Sequence, residues 1–199
     1  MFTGIVEATG EIRRRTETDD GMRLLIACPF AVDLYHGQSV SVNGACLTVE
    51  DSSKEDFSVF LAEETVSRTY LGDLREGEAV NVERAMAADG RFDGHIVQGH
   101  VDGVGEIDEI EEVGEDWRFT FSLPTDLESY VVEKGSITID GISLTVAGLG
   151  EGFSVAIIPT TYEETTLSTK EIGDPVHLEA DVIAKYVEQV SAPYRDRTR

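Results

Sequence analysis

Ser39-Val40-Ser41-Val42-Asn43-Gly44-Ala45-Cys46-Leu47-Thr48-Val49 returns 97 residues later as Ser136-Ile137-Thr138-Ile139-Asp140-Gly141-Ile142-Ser143-Leu144-Thr145-Val146. Each copy is an alternating run, an Asn-Gly or Asp-Gly turn signal and a second alternating run, the pattern of a β-hairpin. Flanking fragments recur with it: Gly10-Glu11-Ile12 returns as Gly105-Glu106-Ile107 after 95 residues, and Phe57-Ser58-Val59 as Phe153-Ser154-Val155 after 96. A period this long means a duplicated domain, whereas solenoids and propellers repeat at shorter intervals. Two similar pockets in one chain suggest two similar ligands handled together.

Short alternating or apolar runs at residues 23–27, 38–42, 46–50, 57–61 and 79–83 are matched in the second half by 117–122, 136–139, 143–147, 153–158 and 176–179. This spacing predicts an all-β fold, an antiparallel barrel or sandwich in each half with the same strand order. Polar stretches at 65–70 and 162–166 read as short connecting helices, each followed by a leucine, Leu71 or Leu167, placed to pack inward. The linker falls at 85–94, where Asp89-Gly90-Arg91-Phe92-Asp93-Gly94 is rich in turn formers. The expected domains are therefore 1–94 and 95–180, followed by a tail at 181–199. Within the tail, apolar residues at 182, 183, 186, 187 and 190 mark one face of a helix. That face has no counterpart in the first copy, and it suits either packing on its own domain or an oligomer seam.

At 199 residues and 41% apolar content, the chain can bury the cores of two domains of roughly 90 residues each. Cys28 and Cys46 lie in unrelated contexts with no metal-ligand spacing, so neither a metal nor a disulfide framework is expected. A reducing cytoplasm fits best. The start shows no charged region leading into an apolar one, and no apolar run approaches the roughly 20 residues of a membrane helix. The net charge of −23 is spread along the chain. Such a field repels phosphate backbones, which argues against nucleic acid as a partner. It suits either a merely acidic surface or a protein adapted to high salt, and the second reading is preferred.

Comparing the copies separates framework from chemistry. Gly44/Gly141, Leu47/Leu144 and Thr48/Thr145 are retained, while Cys46 becomes Ser143 and Ile5 becomes His100. The turn fixes the register of the strand after it, so positions 46 and 48, like 143 and 145, share a face. On this comparison the first pocket gains a thiol and the second a base. Cys46 also reads as a small packed hydrophobe, since no neighbour in sequence activates it. His95 and His100, five apart in Gly94-His95-Ile96-Val97-Gln98-Gly99-His100, point to opposite faces of an extended segment, so only one can face a given pocket. A lone histidine is usually structural or solvated, yet its near-neutral pKa makes it the default group for proton transfer. His36 and His177 have no motif around them and read as surface residues.

Met1-Phe2-Thr3-Gly4-Ile5-Val6-Glu7, the block 43–49, Gly94-His95-Ile96-Val97-Gln98-Gly99-His100-Val101-Asp102-Gly103, the block 140–146 and Ala184-Lys185-Tyr186-Val187-Glu188 together resemble the riboflavin synthase family. The likeness runs from Met1 to about Val190 through several separated motifs in order. It implies two tandem six-stranded Greek-key barrels, each a lumazine-binding repeat, with a C-terminal helix that joins three chains. It implies an active site formed between the first barrel of one subunit and the second barrel of another, and association with lumazine synthase. The activity implied is a cofactor-free dismutation: two molecules of 6,7-dimethyl-8-ribityllumazine exchange a four-carbon unit, giving riboflavin and 5-amino-6-ribitylaminouracil.

Carried over by position, the first pocket takes Gly4, Ile5, Val6, Ser39, Cys46, Leu47, Thr48, Phe60, Leu61, Ala62, Glu63, Glu64 and Thr65. The second takes Gly99, His100, Val101, Lys134, Ser143, Leu144, Thr145, Ile158, Pro159, Thr160, Thr161, Tyr162 and Glu163. The C7 methyl of the lumazine is acidic because its carbanion delocalises into the ring system. His100 is the candidate base, with Ser143 and Thr145 as polarising donors, while Cys46, Ser39 and Thr48 position a nucleophile against the other molecule. Thr160 departs from the family pattern, which often has a charged or imidazole group there. Two other functions compete. An antenna or storage protein of the same barrels binds lumazine or flavin without chemistry and is expected to lose the reactive groups. A flavin reductase appends a nucleotide-binding domain, and no GxGxxG after a strand occurs in this sequence.

Overall fold

The computed structural model describes residues 1–195, with side chains described through residue 192. The first six strands are β1 (Ala8–Thr18), β2 (Gly21–Ala27), β3 (Ser39–Val42), β4 (Ala45–Ser52), β5 (Asp56–Ala62) and β6 (Ala79–Arg84). The next six are β7 (Gly103–Val113), β8 (Asp116–Phe121), β9 (Ser136–Ile139), β10 (Ile142–Leu149), β11 (Phe153–Ile157) and β12 (Pro175–Ala180). Each set closes into an antiparallel barrel of the same order, β1-β2-β5-β4-β3-β6 and β7-β8-β11-β10-β9-β12. Closure leaves no free sheet edge.

Alternation along the strands places every second side chain in a barrel core. In β2 these are Met22, Leu24 and Ile26, and in β5 Phe57, Val59 and Leu61. Phe119, Phe121 and Phe153 fill the second barrel. Bulges sit at equivalent places in both copies, at Ile12/Arg14 and Ile107/Glu109, and at Val49/Asp51 and Val146/Gly148. They sharpen the local twist that lets six strands close.

The sequence reading missed β1 and β7, although it noticed their repeated Gly-Glu-Ile fragments. Beyond Ile12 and Ile107 these strands are charged and exposed, so they carry no apolar alternation to detect. The connecting helices α1 (Glu63–Arg68) and α2 (Pro159–Glu164) begin before the predicted stretches. Each is followed by a 3-10 turn that buries Leu71 or Leu167, as expected. Helix α3 (Val182–Arg195) carries the apolar stripe, and Ile183, Tyr186, Val187 and Val190 are exposed.

The barrels meet at their hairpin turns. Asn43 and Asp140 have φ of 44° and 45°, and Gly44 and Gly141 have 80° and 81°, the left-handed pair that a two-residue hairpin loop requires. The two glycines face each other. A Cβ on Gly44 would lie 2.7 Å from the Gly141 nitrogen, and one on Gly141 2.8 Å from the Gly44 nitrogen. No side chain fits between the turns.

A buried polar network surrounds this contact, and its bonds through Asn81 and His177 obey the pseudo-two-fold. Asn81 N–H donates to Asn43 Oδ1 at 2.6 Å, and its equivalent His177 N–H donates to Asp140 Oδ1 at 2.8 Å. Asn81 Nδ2 donates to the Asp140 carbonyl at 2.9 Å, while His177 Nδ1 lies 2.7 Å from the Asn43 carbonyl. The Thr166 amide donates to Asn81 Oδ1 and the Tyr70 amide to His177 Nε2, at 2.9 and 3.0 Å. Tyr70 stacks on the imidazole, its hydroxyl donates to Asp140 Oδ1 at 2.7 Å, and Lys170 Nζ sits 3.0 Å from Asp140 Oδ2. His177 is thus a buried structural residue, contrary to the surface reading. Only docking of the barrels covers it, and nothing local in sequence signals that.

The partners of His177 fix it as the neutral ring with hydrogen on Nδ1, because Nε2 must accept. Burial lowers its pKa, against a raising influence from Asp140. The unfolded chain therefore takes up this proton first, so the stability His177 contributes is complete above an ordinary value of about 6.5 and is lost as pH falls below it. His177→Asn, which installs the side chain used at position 81, should flatten the fall in unfolding free energy between about pH 6.5 and 5. Urea unfolding across that range checks it; an unchanged slope would mean that another group carries the pH dependence.

Candidate functional site

Residues 1–5 run antiparallel to residues 95–97, with the Phe2 and Val97 amides each donating to the other's carbonyl at 2.7 and 3.1 Å. Beyond that pairing each segment reaches the other barrel. The Ser143 amide donates to the Gly4 carbonyl at 2.7 Å, and the Cys46 amide to the Gly99 carbonyl at 2.8 Å. Gly4 and Gly99 have φ of 76° and 79°. A Cβ there would come within 2.6 Å of Ser143 Cβ or 2.5 Å of Cys46 Cβ, so the approach requires glycine twice over. Val6 packs against the second core and Val101 against the first.

This crossing corrects the sequence-based grouping. Gly4, Ile5 and Val6 stand beside Ser143, and Gly99, His100 and Val101 stand beside Cys46. Ser39, Cys46 and Thr48 therefore share a side with the segment that carries His100, so the exposed histidine and the thiol belong to the same candidate wall. Repeat alignment pairs Ile5 with His100 correctly, but it cannot show that the segments exchange barrels.

Register and pleat place the polar groups on the outer barrel wall. Ser39 is opposite Thr48 and Ser41 opposite Cys46, while Ser136 is opposite Thr145 and Thr138 opposite Ser143. The alternate residues Ala45, Leu47 and Val49 are buried, as are Ile142, Leu144 and Val146. Side chains of Leu47, Leu144 and Leu61 therefore lie in the cores, and only their main chain can face a ligand. In the second connection Tyr162 stacks on Trp117 with ring centroids 3.9 Å apart, while Ile158, Thr160 and Glu163 are exposed. Phe60 and Thr65 are half-buried, Ala62, Glu63 and Glu64 are exposed, and Pro159 and Thr161 are half-buried at α2. Lys134 is an exposed turn residue at φ 66°, its amide bonded to the Val146 carbonyl at 2.8 Å.

His95, which the sequence comparison leaves without a pocket, adjoins the Ser143 wall. Its Nδ1 lies 2.7 Å from Ser143 Oγ and its Nε2 3.2 Å from Thr138 Oγ1. Burial lowers its pKa, so the ring is neutral near pH 7. The odd spacing from His100 was the available signal: His100 is exposed and adjoins the first barrel, while His95 adjoins the second. Among the described residues no cluster of metal-ligating side chains occurs.

One buried carboxylate holds each exchanged segment. Glu83 on β6 accepts from the Thr3 amide at 2.6 Å, the Thr3 hydroxyl at 2.8 Å and the Gly4 amide at 3.0 Å. Glu179 on β12 accepts from the amides of Gln98, Gly99 and His100 at 2.7, 2.9 and 3.0 Å. Burial raises the pKa of both, and the bonds to these amides pull it back down. The charge-assisted bonds favour the ionised form.

The Lumazine binding domain profile matches twice, at residues 3–85 and 98–181. A riboflavin synthase of Mycobacterium bovis is 50% identical over 197 residues, covering 96% of this chain and 98% of that protein. Those of Bacillus subtilis and Schizosaccharomyces pombe are 47% and 42% identical, covering 94% and 96% of this chain and 88% and 93% of their own lengths. The chain belongs to the riboflavin synthase family. The family's two lumazine-binding repeats correspond to the two barrels. Crystal structures of LumP complexed with riboflavin and with 6,7-dimethyl-8-(1'-D-ribityl) lumazine superpose with TM-scores of 0.84 and 0.82. They are 26% and 25% identical, and each match covers 90% of this chain and 99% of LumP.

Glu179→Gln presents an amide NH2 to backbone N–H groups, leaving buried donors unpaired at a cost of about 1–3 kcal/mol. Glu83→Gln should cost a similar amount. Urea unfolding measures both; wild-type midpoints would show that these carboxylates do not hold the segments.

Proposed function

We propose that the protein is a riboflavin synthase that converts two molecules of 6,7-dimethyl-8-ribityllumazine into riboflavin and 5-amino-6-ribitylaminouracil without a cofactor. The observation that carries this reading is the pair of matched barrel walls on one chain, each met by a segment from the other copy, with different polar side chains on the same framework. A reaction between two identical molecules in different roles needs such a pair. The family relatives, riboflavin synthases over nearly their full length, support the same reading.

At the first site His100 acts as base or polarising group toward the acidic methyl of one molecule, with Ser39, Cys46 and Thr48 on the adjoining wall. At the second, Gly4 to Val6, Ser143, Thr145 and the neighbouring His95 hold the other molecule. The connection residues at 60–65 and 158–163 and the turn residue Lys134 border these walls. Holding two rings in register supplies the proximity such a transfer needs.

Both walls face outward from a single chain, and two of the open cavities lie elsewhere: about 600 Å³ beside Cys28 and about 340 Å³ beside Tyr70 and Lys170. A second chain is needed to cover the walls. The exposed stripe on α3 supports a homotrimer in which the first barrel of one subunit faces the second barrel of another. The two free cysteines support a reducing, cytoplasmic location, and the dispersed negative charge supports salt adaptation. The family resemblance is the support for association with lumazine synthase, which would deliver the substrate.

Purified protein given 6,7-dimethyl-8-ribityllumazine alone should form riboflavin and the pyrimidine in equal amounts, read by chromatography at low and molar salt. Tight binding of unchanged lumazine at both salts would make it an antenna or storage protein, as the structural likeness to LumP allows. His100→Ala should lower kcat by about 10²-fold or more, with lumazine affinity nearly unchanged. Equal losses in both would assign His100 to binding.

A further inference from the structure

The pseudo-two-fold also breaks at an ion pair close to the segment that carries His100. In the first copy Glu7 accepts from the Arg84 amide at 2.7 Å and pairs with the Arg84 guanidinium at 2.6 Å, so anion and cation both belong to one barrel. In the second copy the equivalent anion is Asp102, which accepts from the Ala180 amide at 2.8 Å. Position 180 is alanine and supplies no charge. The cation comes instead from α3: Lys185 Nζ lies 2.6 Å from Asp102 Oδ2, with both side chains about three-quarters covered.

We propose that Lys185 is a positioning residue for the riboflavin synthase reaction, tying α3 through Asp102 to the segment that carries His100. The inference rests on the function proposed above. Asp102 follows His100 by two residues, and its own amide donates to the Leu178 carbonyl at 2.8 Å. Glu179, beside Leu178 on β12, holds the amides of Gln98, Gly99 and His100. The Gly99 carbonyl in turn accepts the Cys46 amide. An ion pair, hydrogen bonds and the intervening main chain of residues 178–179 thus link the helix to the thiol wall of the other barrel. Lys185 also favours the ionised form of Glu179, the form that can accept from three amides. The helix that the first copy lacks therefore fixes the site on the first barrel, and its exposed apolar face makes that fixing responsive to what packs on it.

Three variants of the full chain test this: Lys185→Met, Lys185→Arg and Asp102→Asn, with Arg118→Met, which breaks an exposed pair with Glu111, as control. Lys185→Met should lower kcat about ten-fold or more with KM within about two-fold, the signature of misplaced reacting groups. Lys185→Arg should restore most of the loss. Asp102→Asn should match Lys185→Met, and the double variant should be no worse than either single, since both break one interaction. Alkylation of Cys46 by iodoacetamide, located by peptide mapping, should accelerate in Lys185→Met and Asp102→Asn but not in Lys185→Arg or Arg118→Met. This readout requires no turnover.

Riboflavin formation by Lys185→Met at the wild-type kcat, with unchanged Cys46 alkylation, overturns the proposal and leaves the synthase reading standing. Parallel losses in Arg118→Met, or no rescue by Lys185→Arg, overturn it as well, because a general loss of charge or stability would then explain the effect. A wild-type protein that forms no riboflavin overturns the synthase reading, and this proposal with it.

Discussion

The way the two barrels are held together depends on the contact of two backbone turns, Asn43-Gly44 against Asp140-Gly141. Glycine is required on both sides because each turn needs a left-handed residue and neither leaves room for a Cβ. Bringing two turns this close buries main-chain and side-chain polar groups that must then be paired. Asn43, Asn81, Asp140 and His177 pair them across the pseudo-two-fold. Once the barrels are held at this distance, residues 2–5 and 97–101 lie close enough to cross from one to the other.

The symmetry is kept by the backbone and broken by chemistry. Asn81 and His177 make equivalent bonds with different groups, a neutral amide and a neutral imidazole. Cys46 and Ser143 offer the same amide to the exchanged segment but a thiol and a hydroxyl to the ligand wall. Ile5 and His100 occupy equivalent places, one apolar and one able to take a proton. Such differences suit two binding sites that hold the same compound in different roles, and identical sites would lack that distinction.

The repeat, ten of the twelve strands, both connecting helices and the terminal helix were legible because apolar alternation, turn chemistry and self-similarity are local properties of the sequence. β1 and β7 were not, since most of each is charged and solvent-facing. The burial of His177 and the partnership of His95 with Ser143 depend on barrel docking, which local pattern does not encode. The exchange of segments escaped for the same reason: Gly4 and Gly99 sit in equivalent motifs, and equivalence suggests that each serves its own barrel. Physical contact reverses that. The structure therefore regroups the residues expected at the two pockets: Gly4 to Val6 adjoin Ser143, and Gly99 to Val101 adjoin Cys46.

The central claim is that each site is built from a wall of one barrel and the segment of the other. A crystal structure with the product riboflavin bound tests it most directly. The account predicts that a riboflavin on the first barrel touches Cys46 or Thr48 together with His100, and that one on the second touches Ser143 or Thr145 together with Gly4 to Val6. A single ligand contacting both His100 and Ser143 of the same chain, or ligands seated inside the barrels, would contradict it.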